Sequence, residues 1–284
     1  MSIKVSELRH PKEKVYGAIM TVVGIFGWVF VAFILLVSIA TRQLEQALAL
    51  ILYGGAFWLF SLIVRAFTRA YMFGHYVMVG PDQFPHLHKM VVEGSAALGL
   101  DEAPATFVYN SHGVMNAMAL RLVGRHRYVW LTSALIDADN DEQVRFVVGH
   151  ELGHHAAGHL DRLNHFLKLP AHFVPLLAQA YSRGRELTCD RVGAMLAGNL
   201  VASCSALQML ASGSAKLNQS MNLRGFLAQE QMVPPVAGWL LHIFSHYPRL
   251  TRRAGALVEW ARETSQQSPE AASIGGLSPQ PQVA

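Results

Sequence analysis

"VVGHELGHHAAGH", Val147–His159, packs four histidines and one glutamate into thirteen residues. The preceding "ADNDEQVRFV" carries acidic N-cap signals, so the whole stretch reads as a helix. On a helix His150 and His154, four apart, share one face, where two imidazoles reach a single zinc ion. Glu151 lies beside that face and can hold the metal's water as general base, the H-E-x-x-H arrangement. His155 and His159 repeat the spacing, but no glutamate follows the first. At ~100° per residue their direction is turned by about 140° from His150. They are expected to face solvent or to stand behind the ligands.

A catalytic zinc needs a third protein ligand and an open position for water. "SRGRELTCDR", Ser182–Arg191, offers one. Glu186 and Asp190 are four apart on a helical segment: Glu186 can coordinate, and Asp190 can orient an imidazole from behind. Alone, the stretch reads as an ordinary Glu–Arg surface helix; the upstream histidines shift the balance toward a ligand.

The rest of the chain bounds where this chemistry sits. Of 284 residues 52% are hydrophobic and 15% charged, against roughly 25% charged in soluble domains, so part of the chain is expected to lie in a membrane. Val15 to Thr41 contains no charged residue, and Ala47 to Val64 is a second apolar run; at 1.5 Å per residue the first crosses a ~30 Å hydrocarbon core and the second is near the lower limit. Together they read as a helical hairpin. Lys4, Arg9, Lys12 and Lys14 precede it and Arg65 and Arg69 follow, while the connecting loop has Arg42 beside Glu45. The positive-inside rule then puts both termini in the cytoplasm. The net charge of +4 is scattered, which excludes a nucleic-acid footprint. Two cysteines, Cys189 and Cys204, are too few for a disulfide framework.

Elsewhere the pattern is mixed. "HLHKMVVEGSAALGL" is a helix; "ATFVYN", "NAMALRLVG" and "RYVWLTSAL" are short strands; further helices are expected over about 172–196 and 249–263. Val192 to Ala215 has no charge but is broken by small and polar residues, which suits buried helices. "VPPVAGWLLHIF", Val233–Phe244, is too short to span and is expected to be a core helix, with the membrane surface as its other possible place. The fold class expected is α+β, mostly helical, with a small sheet and an N-terminal transmembrane hairpin. The divisions are a cytoplasmic segment 1–14, spans within 15–69 (about 15–40 and 47–67), a zinc metallopeptidase domain 70–264, and a disordered tail 265–284.

Taken in order, the two spans, "HELGH", "SRGRELTCDR" and "SHYPRLTRR" resemble the HtpX-type membrane zinc metallopeptidases, which include the CAAX prenyl endopeptidases. "NAMA", Asn116–Ala119, resembles the family's "NAFA" element. The likeness covers about 84–261. It implies a zincin-like domain holding one zinc per subunit on His150, His154 and Glu186, with Glu151 as base and Asp190 in support. It also implies catalytic roles for His246 and Arg253, and substrate addition along Asn116, Ala117, Met118 and Ala119. Three departures stand out: Cys189 replaces a common alanine and is expected to pack quietly, Tyr247 interrupts the family's "HP" pair, and 159–182 is too short for a second pair of spans. The function implied is membrane-anchored endopeptidase action on membrane or membrane-proximal proteins, in quality control, at the cytoplasmic face of a bacterial inner membrane. The partners implied are protein substrates and the bilayer, with oligomerisation open. A non-catalytic zinc-binding holdase and a prenyl-peptide-processing protease stay open as rivals.

Overall fold

The computed structural model describes residues 3–124 and 126–267. A turn of helix, α1 (Val5–Leu8), leads into two long apolar helices, α2 (Pro11–Ala40) and α3 (Leu44–His75). Both are long and apolar enough to cross a membrane. They outrun the apolar stretches at both ends, because Lys12, Glu13 and the residues around Arg65 and Arg69 continue a helix without penalty. There follow β1 (Val77–Met78), α4 (Pro85–Ala97), β2 (Ala105–Tyr109), β3 (Ala117–Leu120), β4 (Tyr128–Thr132) and α5 (Ser133–Ala138). The motif helix is α6 (Asp141–Ala156); α7 (Arg162–Lys168), a 3-10 turn at Leu169–Phe173, α8 (Leu177–Ala197) and α9 (Leu200–Ser212) follow. Last come α10 (Ala215–Asn218), α11 (Leu223–Ala228), α12 (Pro235–Phe244) and α13 (Leu250–Gln267). The fold is α+β, mostly helical.

The sheet has the order β1-β2-β4-β3. β2 and β4 run parallel and the outer pairs antiparallel, so β3, carrying Ala117–Leu120, is an edge. Two local rules differ from expectation. The "RYVWLTSAL" strand stops at Thr132, whose side chain accepts from the Leu135 amide and starts α5 instead. α6 is capped by Asn140, not by an acid: its side chain accepts from the Gln143 amide while Gln143 returns the bond, a full capping box. Asp141 and Glu142 occupy the first turn, where they favour the helix dipole.

α6 is buried along nearly its whole length and packs on α8 at backbone contact. A Cβ on Gly193 would lie 2.6 Å from the Phe146 carbonyl oxygen, and one on Gly149 would lie 3.0 Å from the Gly193 Cα. The glycines let the two helices close without side chains between them. The base of α2 joins the same core: a Cβ on Gly184 would meet the Glu13 backbone at 2.7 Å. Farther along α2, Gly24 and Gly27 abut Leu167 and Pro170, and Trp28 stacks on Phe166 at 4.3 Å.

α12 is not a core helix. Val236 is 72% exposed, Trp239 60% and Leu241 72%, and Gly238 alone on it is buried. Arg183 tethers its end through the Ile243 and Ser245 carbonyls, and Arg249 bonds the Gly238 carbonyl. By contrast, the uncharged stretch at α8–α9 is buried as expected, divided by Gly198 in the left-handed conformation. The helix α13 continues through Gln267; the remainder of the tail expected to be disordered lies outside the described residues.

The α6–α8 contact gives a direct expectation. Gly193→Ala should destabilise the detergent-solubilised full chain by roughly 1–3 kcal/mol, as overpacking does, read as a fall in its thermal midpoint. Gly74→Ala, with nothing near its added methyl, should leave the midpoint unchanged or raise it.

Candidate active site

One turn of α6 and one turn of α8 face each other across the glycine contact. His150 Nε2 lies 3.3 Å from one Glu186 oxygen, and His154 Nε2 lies 3.6 Å from the other. Three donors therefore converge, all on side chains that are buried or nearly so. Behind His150, Nδ1 lies 3.0 Å from Asp190 Oδ1. Arg253 from α13 clamps Asp190 with bonds of 2.9 and 2.5 Å and reaches to 3.9 Å from Glu186. Behind His154, Nδ1 lies 3.0 Å from His159 Nδ1, and His159 Nε2 lies 3.0 Å from Glu13 Oε1.

Electrostatics follow from burial and these pairings. Burial would depress His150, but the hydrogen bonds with Asp190 and Glu186 lift it to about 10. Burial, with the His159, His150 and Arg185 charges, holds His154 well below its ordinary value despite the nearby Glu186 charge. Burial would raise Glu186, yet the His150 bond and the charges of His154 and Arg253 hold it well below the usual carboxylate range. Burial pushes Glu151 up to about 7, with the Glu186 charge adding to the rise against His150 and the Ala119 backbone.

The donor set fits a metal ion: two imidazole nitrogens and a carboxylate, each with its other side held. A second combination is present, because His150, His154 and Cys189 also offer atoms within 4.8 Å of one another. The thiol sits on the wrong side of the rings. Its sulfur lies 3.7 Å from His159 Nδ1, the atom that faces the back of His154. In the metal-free site burial, with the Glu186 and Glu151 charges, also holds the Cys189 thiol well above its ordinary value.

Glu151 and the three donors line a cavity of about 250 Å³, with Asn116–Ala119 of the β3 edge along one wall and Tyr247 and Arg253 opposite. His246 does not line it. It faces a neighbouring cavity of about 70 Å³ beside His165 and His172, and the two cavities meet at Ser182 and Arg185. The inserted Tyr247 lines the cavity from an exposed position, its phenol shifted upward by partial burial and by the Glu186 and Glu151 charges. His155 and His159 are buried, not solvent-facing. His155 Nε2 bonds the Tyr128 carbonyl. His159 lies beyond the end of α6, after Gly158 at φ 72° has turned the chain, so the helical angle no longer applies and the ring swings back onto His154. Sequence reasoning missed Glu13 and Tyr247. A lone acid two residues before a long apolar run was the one local sign of the former.

Asp190→Ala should lower metal affinity by about 10–100-fold, since the partner behind a ligand is lost. It should also destabilise the fold by roughly 3–5 kcal/mol, because the buried Arg253 loses both hydrogen bonds to Asp190 and keeps only the 3.9 Å contact with Glu186. Competition with a chromophoric chelator and chemical denaturation read the two effects separately.

Comparison with known proteins agrees with this geometry. Residues 81–170 match the model of Peptidase family M48, a span that includes His150, Glu151, His154 and His159 but not Glu186, Asp190 or Arg253. The chain is 29% identical over 217 residues to the plastoglobule-localized metallopeptidase 48, chloroplastic, of Arabidopsis thaliana. That alignment covers 69% of this chain and 62% of the relative, so the chain spans less than two thirds of the relative's length. No solved structure matches the chain significantly. The H-E-x-x-H helix and the strands β2, β3 and β4 thus lie within the stretch that is similar to peptidase family M48.

Proposed function

We propose that this chain is a membrane-anchored zinc endopeptidase that hydrolyses peptide bonds in membrane or membrane-proximal proteins, in their quality control. The reading rests on one observation above others. The Glu151 carboxyl, three metal-compatible donors and an open sheet edge share a single cavity.

In this reading His150, His154 and Glu186 hold the zinc, which when bound supplies a Lewis acid that polarises the scissile carbonyl and acidifies water. An extended substrate pairs its backbone with the β3 edge at Asn116–Leu120, which gives weak sequence selectivity. Glu151 removes a proton from the attacking water as the oxygen–carbon bond forms. It delivers that proton to the leaving nitrogen as the carbon–nitrogen bond breaks. In the metal-free site burial and the Glu186 charge lift its carboxyl to about 7; a bound dication would lower it and favour the carboxylate that a base requires. Arg253 is committed to Asp190 and Glu186, so it orients and does not reach for the oxyanion. Tyr247, a neutral phenol on the cavity wall, is the better donor there than His246.

The hairpin supports membrane anchoring. Counting from the Thr41–Gln43 turn, Arg65 on α3 is level with about Ile19 on α2. The slab between measures roughly 33 Å at 1.5 Å per residue, close to a hydrocarbon core. Gly24, Gly27 and Trp28, which pack on Leu167, Pro170 and Phe166, then lie about 7–13 Å inside that boundary. The segment they touch exposes Leu163, Phe166 and Phe173, and α12 exposes Trp239, Leu241 and Phe244. Such surfaces suit a lipid interface. The basic flanks Lys4, Arg9, Lys12, Lys14, Arg65 and Arg69 favour a peptidase domain on the cytoplasmic side of a bacterial inner membrane.

Glu151→Gln should keep one zinc per chain by elemental analysis yet lose casein hydrolysis by roughly 10²–10⁴-fold, the contribution of a general base. Wild-type turnover in that variant would sink the mechanism. For the membrane seat, spin labels at Phe57, Phe173 and Leu241 in vesicle-reconstituted protein should collide preferentially with oxygen, and one at Val201 with a water-soluble nickel chelate. A water-like signal at 57 would remove the hairpin from the bilayer. The same signal at 173 or 241 alone would lift only that surface from the lipid.

A further inference from the structure

The two histidines facing Glu186 are held from behind in different ways. His150 meets a carboxylate directly, at Asp190. His154 meets another imidazole, and the carboxylate stands one step farther away, at Glu13 on α2. Protonation along that second chain is fixed once His154 binds metal through Nε2. That atom must then carry a lone pair, so in the neutral ring the proton sits on Nδ1. Its neighbour, His159 Nδ1, must accept, which puts the His159 proton on Nε2. That proton points at Glu13 Oε1, an acceptor. Every site along the chain has the partner it needs, in one arrangement only.

Glu13 is otherwise hard to account for. It is 1% exposed, at the foot of an apolar helix. Thr188 and Arg9 also bond it, and Arg9 reaches on to the Ala157 carbonyl at the end of α6. Burying a carboxylate is costly unless it is fully paired. A tether between α2 and α8 needs no charge, because Gly17 against Tyr181 and Gly184 against Glu13 already make that contact through packing.

We propose that Glu13 and His159 are positioning residues of the metal centre, so that the first apolar helix is part of that centre and not only an anchor. Glu13 fixes the His159 tautomer, and His159 fixes the ring angle and tautomer of His154 and makes its Nε2 a stronger donor. The inference rests on the reading of His150, His154 and Glu186 as ligands.

The test uses the full chain in detergent, stripped of metal and titrated with zinc against a chromophoric chelator. Cobalt loading gives a parallel absorption spectrum. His159→Leu and Glu13→Leu should each weaken zinc binding about 10–100-fold and alter the cobalt bands, and Glu13→Gln, which keeps an acceptor oxygen in place, should recover most of the loss. Because Glu13 acts through His159, Glu13→Leu should have no further effect on affinity in the His159→Leu background. Glu13→Gln and His159→Leu keep side-chain bulk, so they remain informative if Glu13→Leu does not fold. Wild-type affinity and cobalt spectrum in folded His159→Leu would overturn the proposal, as would additive losses in the double variant. His154→Ala separates the two levels: if it still binds zinc normally, the ligand assignment itself fails; if it loses zinc while His159→Leu does not, only the positioning role fails.

Discussion

Backbone contact between α6 and α8 is the constraint on which the rest depends. Gly149 lets the helix backbones meet at Gly193, and Gly153 leaves room for the Val192 side chain and the Cys189 Cα, so α6 has no side chain of its own at these two points. Only at that spacing can a glutamate on one helix stand within 3.3–3.6 Å of two imidazoles on the other. A methyl group at the crossing would push the carboxylate outward before any change in the donors themselves. Close packing here sets function before it sets stability.

The crossing also concentrates charge where water is excluded. Two carboxylates, Glu186 and Asp190, meet two histidines and one arginine, and each acid has a basic partner. Glu151 is the exception. It stands in the cavity with a backbone hydrogen bond and no cationic clamp of its own, and burial lifts it to about 7. In the proposed mechanism the group that exchanges protons is the one left unclamped, while the groups that hold position are paired. A bound dication would lower Glu151 and reinforce Glu186, since the ion becomes the largest charge in the site.

The parts of the site legible in sequence are those that helical periodicity writes locally. His150 with His154, and Glu186 with Asp190, are each four apart, and the fold brings all four together with Glu151. What spacing could not supply is contact across long separations. Glu13 to His159 joins residues 146 apart, and Arg253 reaches Asp190 from 63 residues away. The angular argument left His159 either facing solvent or behind the ligands, and it could not choose because the helix it assumed had already ended; the ring stands behind His154. α12 read as core because hydrophobicity alone does not distinguish a buried helix from an exposed apolar one. β1, at two residues, is too short to carry an alternation, and Tyr247 looked like an interruption when it lines the cavity.

The central claim is that Glu186, not Cys189, completes the metal centre with His150 and His154. X-ray absorption at the zinc edge of the metal-loaded full chain addresses it without mutation. The account predicts a shell of nitrogen and oxygen alone, at about 2.0–2.2 Å. A sulfur scatterer at about 2.3 Å would contradict it, placing the thiol in the coordination sphere.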